Sequence, residues 1–274
     1  MLQFNPDKCC FEKVHQETYG KTGVRRIVPG QYISSDPMGR AFMISAVEKQ
    51  KFVYIMNRDS ENKLTISSPL DAHKSHTVVY DTCGVDVGHE NPLFAVLESD
   101  YGEIDEFDAA VITGEIKKNL TYYEMDLGLN HVIRKSTSAV DQSATNLLAV
   151  PHGRNGKDGP GGVFILCEDV LFYRSYPPGT ELKCKYPKRL GITTGDKVLI
   201  NCACLHKQKG LFFYLLQTEH GDLLKVNLAF TEKEVHSVSI QYFDTIHPCN
   251  SICLLKTGYL FAAAGTGNQY LRLI

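Results

Sequence analysis

The amino-acid sequence predicts an all-β fold, a β-propeller of four-stranded blades. Three observations predict it: helical 3.6-residue periodicity is almost absent, a pair of strand patterns recurs, and the recurrence has the length of a blade. In each pair the first strand is continuously apolar, and the second follows a short polar turn and tends to alternate. First strands are predicted at 42–47, 93–97, 163–167, 211–216 and 259–264, and second strands at 52–56, 120–127, 170–176, 223–230 and 270–274.

The spacing of the second strands supports this prediction. They begin at Phe52, Leu120, Val170, Leu223 and Tyr270, which are 68, 50, 53 and 47 residues apart. Four-stranded blades repeat every ~40–50 residues. The first step is long because it contains an insertion at 100–118, which we predict to be an acidic loop. From the pattern alone, a β-sandwich remains the alternative fold.

The two strand types predict different positions in a blade. Unbroken apolar strands are buried on both faces, whereas alternating strands are half exposed. We therefore expect the apolar strands to lie inside, between neighbouring blades, and the alternating strands to lie outside. In 223–230 the even-numbered positions are apolar and form one face, while Lys225 and Asn227 lie on the other.

The strand pairs do not fill a ring. Five pairs are present, preceded by strand-like segments at 2–4 and 10–15. We expect an incomplete propeller of about five blades with unpaired edges and uncovered apolar faces. Such a chain is predicted to aggregate or to be unstable in isolation.

Composition argues against nucleic-acid-binding and membrane proteins. The 29 basic and 31 acidic residues give a formal charge of −2, which is not the basic footprint of a phosphate-binding protein. Any RNA contact is expected to be indirect or weak, although a direct RNA-binding module stays open. No apolar run approaches the ~20 residues of a membrane helix, and the N-terminus lacks a signal-peptide pattern. The nine cysteines include no CxxC pair, which favours a reducing compartment.

No motif predicts catalysis, a cofactor or a metal. The acidic stretch 100–108 does not have the spacing of a calcium loop, and the glycine-rich stretch 153–162 does not match a phosphate-binding loop. The ten histidines have no ligand partners at metal-site spacing. We therefore predict a non-enzyme, with an unrecognised site in the central channel as the alternative.

Two long polar stretches, 17–31 and 57–76, stand out because neither is periodic. Arg25, Arg26 and Arg58 within them offer planar donors, and arginine is enriched in the cores of protein interfaces. Ordinary solvated loops are the alternative reading of both stretches.

The same stretches carry a family resemblance. The runs 15–31, 43–51, 64–74, 84–88, 126–132 and 242–245 resemble the splicing factor 3B subunit 3 family, the spliceosome-associated 130 kDa proteins. The resemblance covers essentially the whole chain. Departures fall at the acidic insertion, at 153–162 and at the 187–196 linker, all of which are predicted loops.

The resemblance implies a fold and a function. Family members are about four times longer, with three seven-bladed propellers, so residues 1–274 are expected to be part of the N-terminal propeller, as a fragment or an incomplete gene model. The implied role is that of a nuclear, non-catalytic scaffold in the splicing factor 3B complex of the U2-type small nuclear ribonucleoprotein, acting in pre-mRNA splicing. Its implied partners are a HEAT-repeat subunit, a small PHD-finger-like subunit and a short helical subunit.

The resemblance also implies partner-binding residues, which lie in predicted loops. They are Glu17, Lys21, Arg25, Arg26, Asn57, Arg58, His73, Lys74, Asn130 and His131. The alternative is an adaptor propeller of the type found in the UV-damaged DNA-binding or cleavage-and-polyadenylation large subunits, which share the architecture.

Overall fold

The computed structural model describes residues 1–16, 18, 30–72, 74–102, 117–153, 158–189, 197–208, 210–231 and 234–274. These residues form an N-terminal hairpin followed by five antiparallel sheets arranged as the blades of a propeller-like ring. The all-β prediction and the five repeated units are therefore confirmed.

The strands follow one another along the chain in blade order. The hairpin pairs β1 (Leu2–Asn5) with β2 (Cys10–Lys13). Blade 1 consists of β3 (Tyr32–Ser35), β4 (Ala41–Ser45), β5 (Lys51–Arg58) and two short strands on β5, β6 (Leu64–Ile66) and β7 (Leu70–Asp71). Blade 2 consists of β8 (Thr77–Val85), β9 (Leu93–Asp100), β10 (Lys118–Asp126) and β11 (His131–Ala139). Blade 3 consists of β12 (Asn146–Ala149), β13 (Val163–Leu166), β14 (Val170–Arg174) and β15 (Glu181–Lys185).

The last two blades differ in strand number. Blade 4 consists of β16 (Ile200–Gln208), β17 (Leu211–Thr218), β18 (Asp222–Phe230) and β19 (Val235–Thr245). Blade 5 has three strands, β20 (Ser251–Leu254), β21 (Tyr259–Ala263) and β22 (Tyr270–Leu273). In every blade, sequential strands are antiparallel neighbours, which short turns allow.

The predicted strand pairs are the two central strands of each blade, which corrects the expected placement. The apolar strands are β4, β9, β13, β17 and β21, and the alternating strands are β5, β10, β14, β18 and β22. The outer, water-facing positions belong instead to strands such as β11, β15 and β19, whose side chains are largely exposed. The polar stretch 57–76 likewise contains the outer strands β6 and β7 and is not one loop. The alternation predicted in β18 does hold, since Leu224 and Val226 face the core with blade 3.

The core consists of four apolar clusters, one between each pair of consecutive blades. Between blades 1 and 2, for example, Met43 and Val53 pack with Phe94, and between blades 3 and 4, Phe164 packs with Tyr214 at a ring-centroid distance of 5.2 Å. The clusters between blades 2 and 3 and between blades 4 and 5 likewise consist of buried apolar side chains. Each blade is therefore held by side chains on its sheet faces.

The antiparallel order places the turns on two opposite faces of the ring. The turns that join the first two strands or the last two strands of a blade lie on face 1, and their described residues include 36–40, 59–63, 86–92, 127–130, 150–153, 158–162 and 175–180. The connections between the central strands and between successive blades lie on face 2. A contact across blades agrees with this, because Arg40 and Glu90 of face 1 are hydrogen-bonded. These faces decide which candidate residues can act together.

Candidate protein-binding surface

Four of the predicted binding residues lie on face 1. Asn57 and Arg58 end β5 and are exposed. The guanidinium of Arg58 donates to the backbone oxygen of Asn62 at 2.9 Å, and Asp59 accepts two backbone N–H groups of the same turn. This part of face 1 is therefore an ordered turn and not a loose loop.

Asn130 and His131 lie in the turn between β10 and β11, also on face 1. Asp126 Oδ1 accepts the N–H of Gly128 at 2.9 Å and the N–H of Leu129 at 3.0 Å. Asn130 has a φ of +49°, a left-handed conformation that asparagine tolerates well. The turn presents Leu129, which is 75% exposed, beside the exposed His131. An apolar tip on an ordered turn is a suitable contact for a protein partner.

Lys74 lies on face 2, away from these four residues. Its ammonium group forms an ion pair with Asp100, and its backbone oxygen accepts a hydrogen bond from the Thr77 hydroxyl at 2.8 Å. These contacts hold the connection from blade 1 to blade 2 at the end of β9. The predicted residues thus do not share a single surface. Glu17, Lys21, Arg25, Arg26 and His73, together with most of the acidic insertion, lie outside the described residues.

Face 1 also contains a cavity that the sequence did not indicate. It has a volume of about 620 Å³ and is formed by the first strands and first turns of blades 1 to 4, at the mouth of the central channel. Its lining residues are Pro37, Met38, Asp86, Ala149, Val150, Pro151, Gly153, Asp158, Leu205 and Lys207. Sequence reasoning missed it because its residues come from four separate segments.

The described residues of the blade 3 wall of this cavity are held by hydrogen bonds and close packing. Asp86 of blade 2 accepts the backbone N–H groups of His152 and Gly153, both at 2.9 Å. At Gly153 and Gly159, where φ is +71° and +159°, a Cβ atom would lie 2.6 Å from Asp158 and 2.1 Å from the Pro151 oxygen, respectively. Only glycine fits there. The described ends of the glycine-rich stretch thus lie between β12 and β13, and the N–H groups of His152 and Gly153 tie its first part to blade 2.

Asp81, in the middle of β8, and Asp86, just after its last residue, have different electrostatics. Burial raises the pKa of Asp81 to about 6, although the N–H groups of Leu147 and Thr82 act to lower it. Burial would also raise the pKa of Asp86, but the hydrogen bonds from the blade 3 loop and the charge of Lys207 together lower it. Asp86 is therefore an anion at neutral pH.

Metal-binding clusters and membrane-spanning helices are both absent from the described residues. Within the described ranges, no cluster of three or more histidine, cysteine or acidic side chains is placed to hold a metal ion. In that same part of the chain, no helix has the length and apolarity that crossing a membrane requires. The geometry therefore leaves the exposed turns and the channel mouth as the candidate site.

Comparison with known proteins gives the family. Residues 1–274 match a family model described as the RSE1/DDB1/CPSF1 first beta-propeller. The chain is 49% identical over 273 residues to Spliceosome-associated protein 130 A of Arabidopsis thaliana, covering 99% of this chain and 22% of that protein. The chain belongs to the RSE1/DDB1/CPSF1 first beta-propeller family.

Other relatives have similar sequence identities to this chain. Splicing factor 3B subunit 3 of Drosophila melanogaster is 48% identical over 273 residues, which cover 99% of this chain and 22% of that protein. Pre-mRNA-splicing factor RSE1 of Mycosarcoma maydis is 46% identical over 279 residues, which cover 99% of this chain and 23% of that protein. The chain therefore spans about a fifth of the length of these relatives and corresponds to the family's first propeller.

Proposed function

We propose that this chain is a non-catalytic scaffold of the splicing factor 3B complex, within the U2-type small nuclear ribonucleoprotein, and that it acts in pre-mRNA splicing in the nucleus by binding proteins. The observation that carries the proposal is identity of 46–49% along nearly the whole chain to proteins named for splicing. Ordered turns exposed on face 1 support a binding role.

Face 1 is the proposed partner surface. The turns that carry Arg58 and His131 are both exposed and both ordered by aspartate side chains, so little conformational entropy is lost when a partner binds them. The proposed partners are the HEAT-repeat subunit, the small PHD-finger-like subunit and the short helical subunit. Contact with RNA is proposed to be indirect, through these proteins.

We further propose that residues 1–274 form part of a larger N-terminal propeller, about five blades of seven. Blade 5 supports this because β22 has no fourth strand beside it and one face of the blade is exposed and apolar. The relatives, which are more than four times longer, provide the chain that such completion requires. The segment 100–118 is proposed to be an acidic loop inserted between β9 and β10.

Co-purification from nuclear extract tests the function and the surface together. The tagged wild-type chain should recover the HEAT-repeat subunit, and the variant Arg58→Glu/His131→Glu should recover at least tenfold less. The matched control Lys49→Glu/His220→Glu makes the same kind of change at exposed residues of face 2 and should leave recovery unchanged. An Arg25/Arg26/Arg58→Ala variant extends the test to residues outside the described part.

The possible failures have different meanings. If the wild-type chain recovers no splicing factor 3B subunit, the proposed assembly is wrong. If the control variant loses the partner while the face 1 variant keeps it, the assembly stands and the surface is on face 2. Recovery of cullin or polyadenylation subunits instead would favour the adaptor alternative, whose proteins share the matched family model.

A further inference from the structure

The outer edge of blade 1 is interrupted near its middle. The strand β6 ends at Ile66 and β7 begins at Leu70, and both pair with β5. Residues 67–69 between them belong to no strand. Because Ile66 lies opposite Met56 and Leu70 lies opposite Val53, this break is on the rim of the ring between face 1 and face 2.

Ser67 fixes the break to β5. Its N–H donates to the Ile55 oxygen at 2.9 Å, and its hydroxyl accepts the Ile55 N–H at 2.9 Å. The same hydroxyl donates to the backbone oxygen of Ser68 at 2.9 Å. The next two residues, Ser68 and Pro69, are exposed. The fold therefore holds the segment through Ser67 and presents Ser68 and Pro69 to solvent.

Ser68 and Pro69 form a pair that occurs once in the sequence. Of the 11 prolines, only Pro69 directly follows a serine or threonine. Proline has no N–H group, and it favours an extended conformation in the residue before it. A serine followed by proline in an exposed, extended segment is the substrate of proline-directed protein kinases.

We propose that Ser68 is a phosphorylation site for a proline-directed protein kinase. In the reaction the Ser68 Oγ forms a bond to the γ-phosphorus of ATP, the bond from that phosphorus to the β–γ bridging oxygen breaks, and ADP leaves. A carboxylate of the kinase takes the serine proton. Asp71 follows three residues after Ser68 and disfavours kinases that require a basic residue at that position. A kinase of the mitogen-activated type, which has no such requirement, fits this sequence.

The modification is compatible with the fold. The hydrogen bonds that hold the break use the N–H and hydroxyl of Ser67, the backbone of Ile55 and the backbone oxygen of Ser68. Phosphorylation of the Ser68 Oγ removes none of them. The phosphate adds about −1.5 to −2 charges at pH 7, and an exposed position leaves that charge in water.

Pro69 also has a structural role that needs no kinase. A proline at a sheet edge discourages pairing with another chain. That role depends on Pro69 and not on the residue before it. The experiment must therefore depend on the serine and on its access in the folded chain.

Phosphorylation in vitro tests the proposal. The 274-residue chain at submicromolar concentration and a synthetic peptide of residues 62–74 are each incubated with an active mitogen-activated protein kinase and ATP, and mass spectrometry locates the phosphate. The chain should take up one phosphate, at Ser68, with an initial rate within about tenfold of the rate for the peptide, because the segment is exposed in the fold.

Three variants of the chain show which residues the kinase requires. Ser68→Ala and Pro69→Ala should each lower phosphate uptake at least about tenfold. Thr65→Ala removes a neighbouring exposed hydroxyl, and as the matched control it should leave uptake unchanged. Urea titrations followed by tyrosine fluorescence should give the same midpoint for the unmodified chain, the phosphorylated chain and Ser68→Ala, which separates loss of the hydroxyl from loss of the fold.

Three results would overturn the proposal. Uptake by the peptide but not by the chain would show that the fold closes the segment to a kinase. Uptake by neither would show that the kinase does not recognise this pair, and undiminished uptake by Ser68→Ala would place the phosphate elsewhere. Each result concerns the rim of blade 1 and is independent of the recovery of splicing factor 3B subunits through face 1.

Discussion

Blade 3 and blade 5 each contain an apolar strand paired with a second strand, but neighbouring blades cover the two sheets to different extents. All four residues of β13 in blade 3 are buried, because blades 2 and 4 cover both faces of the sheet. In β21 of blade 5, Leu260 and Ala262 face blade 4 and are buried, while Tyr259 and Phe261 on the other face are about 40% exposed. An unbroken apolar strand can be buried on both faces, and the number of adjacent blades determines how many of its faces are covered.

The exposed face of blade 5 is an extended apolar surface. Phe261 lies opposite Leu271 in the register of β21 and β22, and Tyr259 lies opposite Leu273. Since cross-strand neighbours share a face, these four side chains form one patch, called here the blade 5 patch. The enclosed blades and this patch therefore differ in energetics, and substitutions can measure the difference.

Truncation of an enclosed aromatic side chain should have the largest effect. Phe164 is fully buried and contacts the rings of Tyr173 and Tyr214 at centroid distances of 5.9 and 5.2 Å. Phe164→Ala should lower the free energy of unfolding by about 4–5 kcal/mol, through lost burial and the cavity left behind. Phe261→Ala in the blade 5 patch should change it by less than about 1 kcal/mol. Because the chain has no tryptophan, urea titrations followed by tyrosine fluorescence at submicromolar concentration are the measurement; equal losses would contradict the comparison.

The second-largest difference is expected in the stability lost when an ion pair is broken in the enclosed region or at the open end. Lys51 and Glu98 lie buried between blades 1 and 2, 2.9 Å apart, with Tyr123 also donating to the carboxylate at 3.0 Å. Lys51→Met leaves a buried carboxylate without its main partner and should cost about 3–4 kcal/mol, much of which Lys51→Met/Glu98→Leu should restore.

The matching pair at the open end is Asp244 with Arg272, 2.7 Å apart and largely exposed. Arg272→Ala should cost less than about 1 kcal/mol, since water screens this pair. Urea titrations of the wild-type chain and the three variants give the values. A Lys51→Met loss no larger than that of Arg272→Ala would mean that the enclosed interface tolerates an unpaired charge.

Asp81 makes the interface between blades 2 and 3 depend on pH. Its pKa of about 6 lies above the ordinary value of about 3.9, so between these values the folded chain binds a proton more tightly than the unfolded chain does. This group therefore stabilises the fold below about pH 4, and the contribution, at most about 3 kcal/mol, is lost as the pH rises through 6. Other carboxylates, such as Asp86 and Asp222, have lowered pKa values and act in the opposite direction.

The variant Asp81→Asn isolates this contribution. The difference in unfolding free energy between wild type and variant should shrink or reverse from pH 4 to pH 7, in urea titrations at fixed ionic strength. Asp7→Asn, in the exposed hairpin turn, is the control and should show no such trend. A difference that stays constant with pH would show that the carboxyl does not titrate in this range.

The sequence predicted the central strands well because they carry a burial signal. Strands such as β13 and β17 are unbroken apolar runs. The first and last strands of each blade were not distinguished, since strands such as β12 and β15 are short and mix polar with apolar residues. Their place comes from edge pairing with a central strand, which needs no side-chain pattern.

The candidate site shows more clearly what could not be predicted from the sequence. Arg58 and Lys74 lie in one polar stretch of sequence, yet they lie on opposite faces because β6 and β7 both run antiparallel to β5 and take the chain from face 1 to face 2. The channel mouth joins Met38, Asp86, Asp158 and Leu205 from four blades, and only the ring brings them together. Turn residues can be recognised in a sequence, but the face on which they lie depends on the number of strands between them.

The blade 5 patch should have the smallest effect on stability and a distinct effect on association. Leu271→Ser/Leu273→Ser should change the free energy of unfolding by less than about 1 kcal/mol, because both side chains are about 65% exposed. The wild-type chain, however, should self-associate at micromolar concentration through this patch and the unpaired edge of β22, and the double variant should do so at higher concentration. Sedimentation velocity over a concentration series distinguishes the two chains. A wild-type chain that stays monomeric and unfolds cooperatively at micromolar concentration would mean that the exposed apolar face is tolerated as it stands, and the proposal of an incomplete ring would lose its structural support.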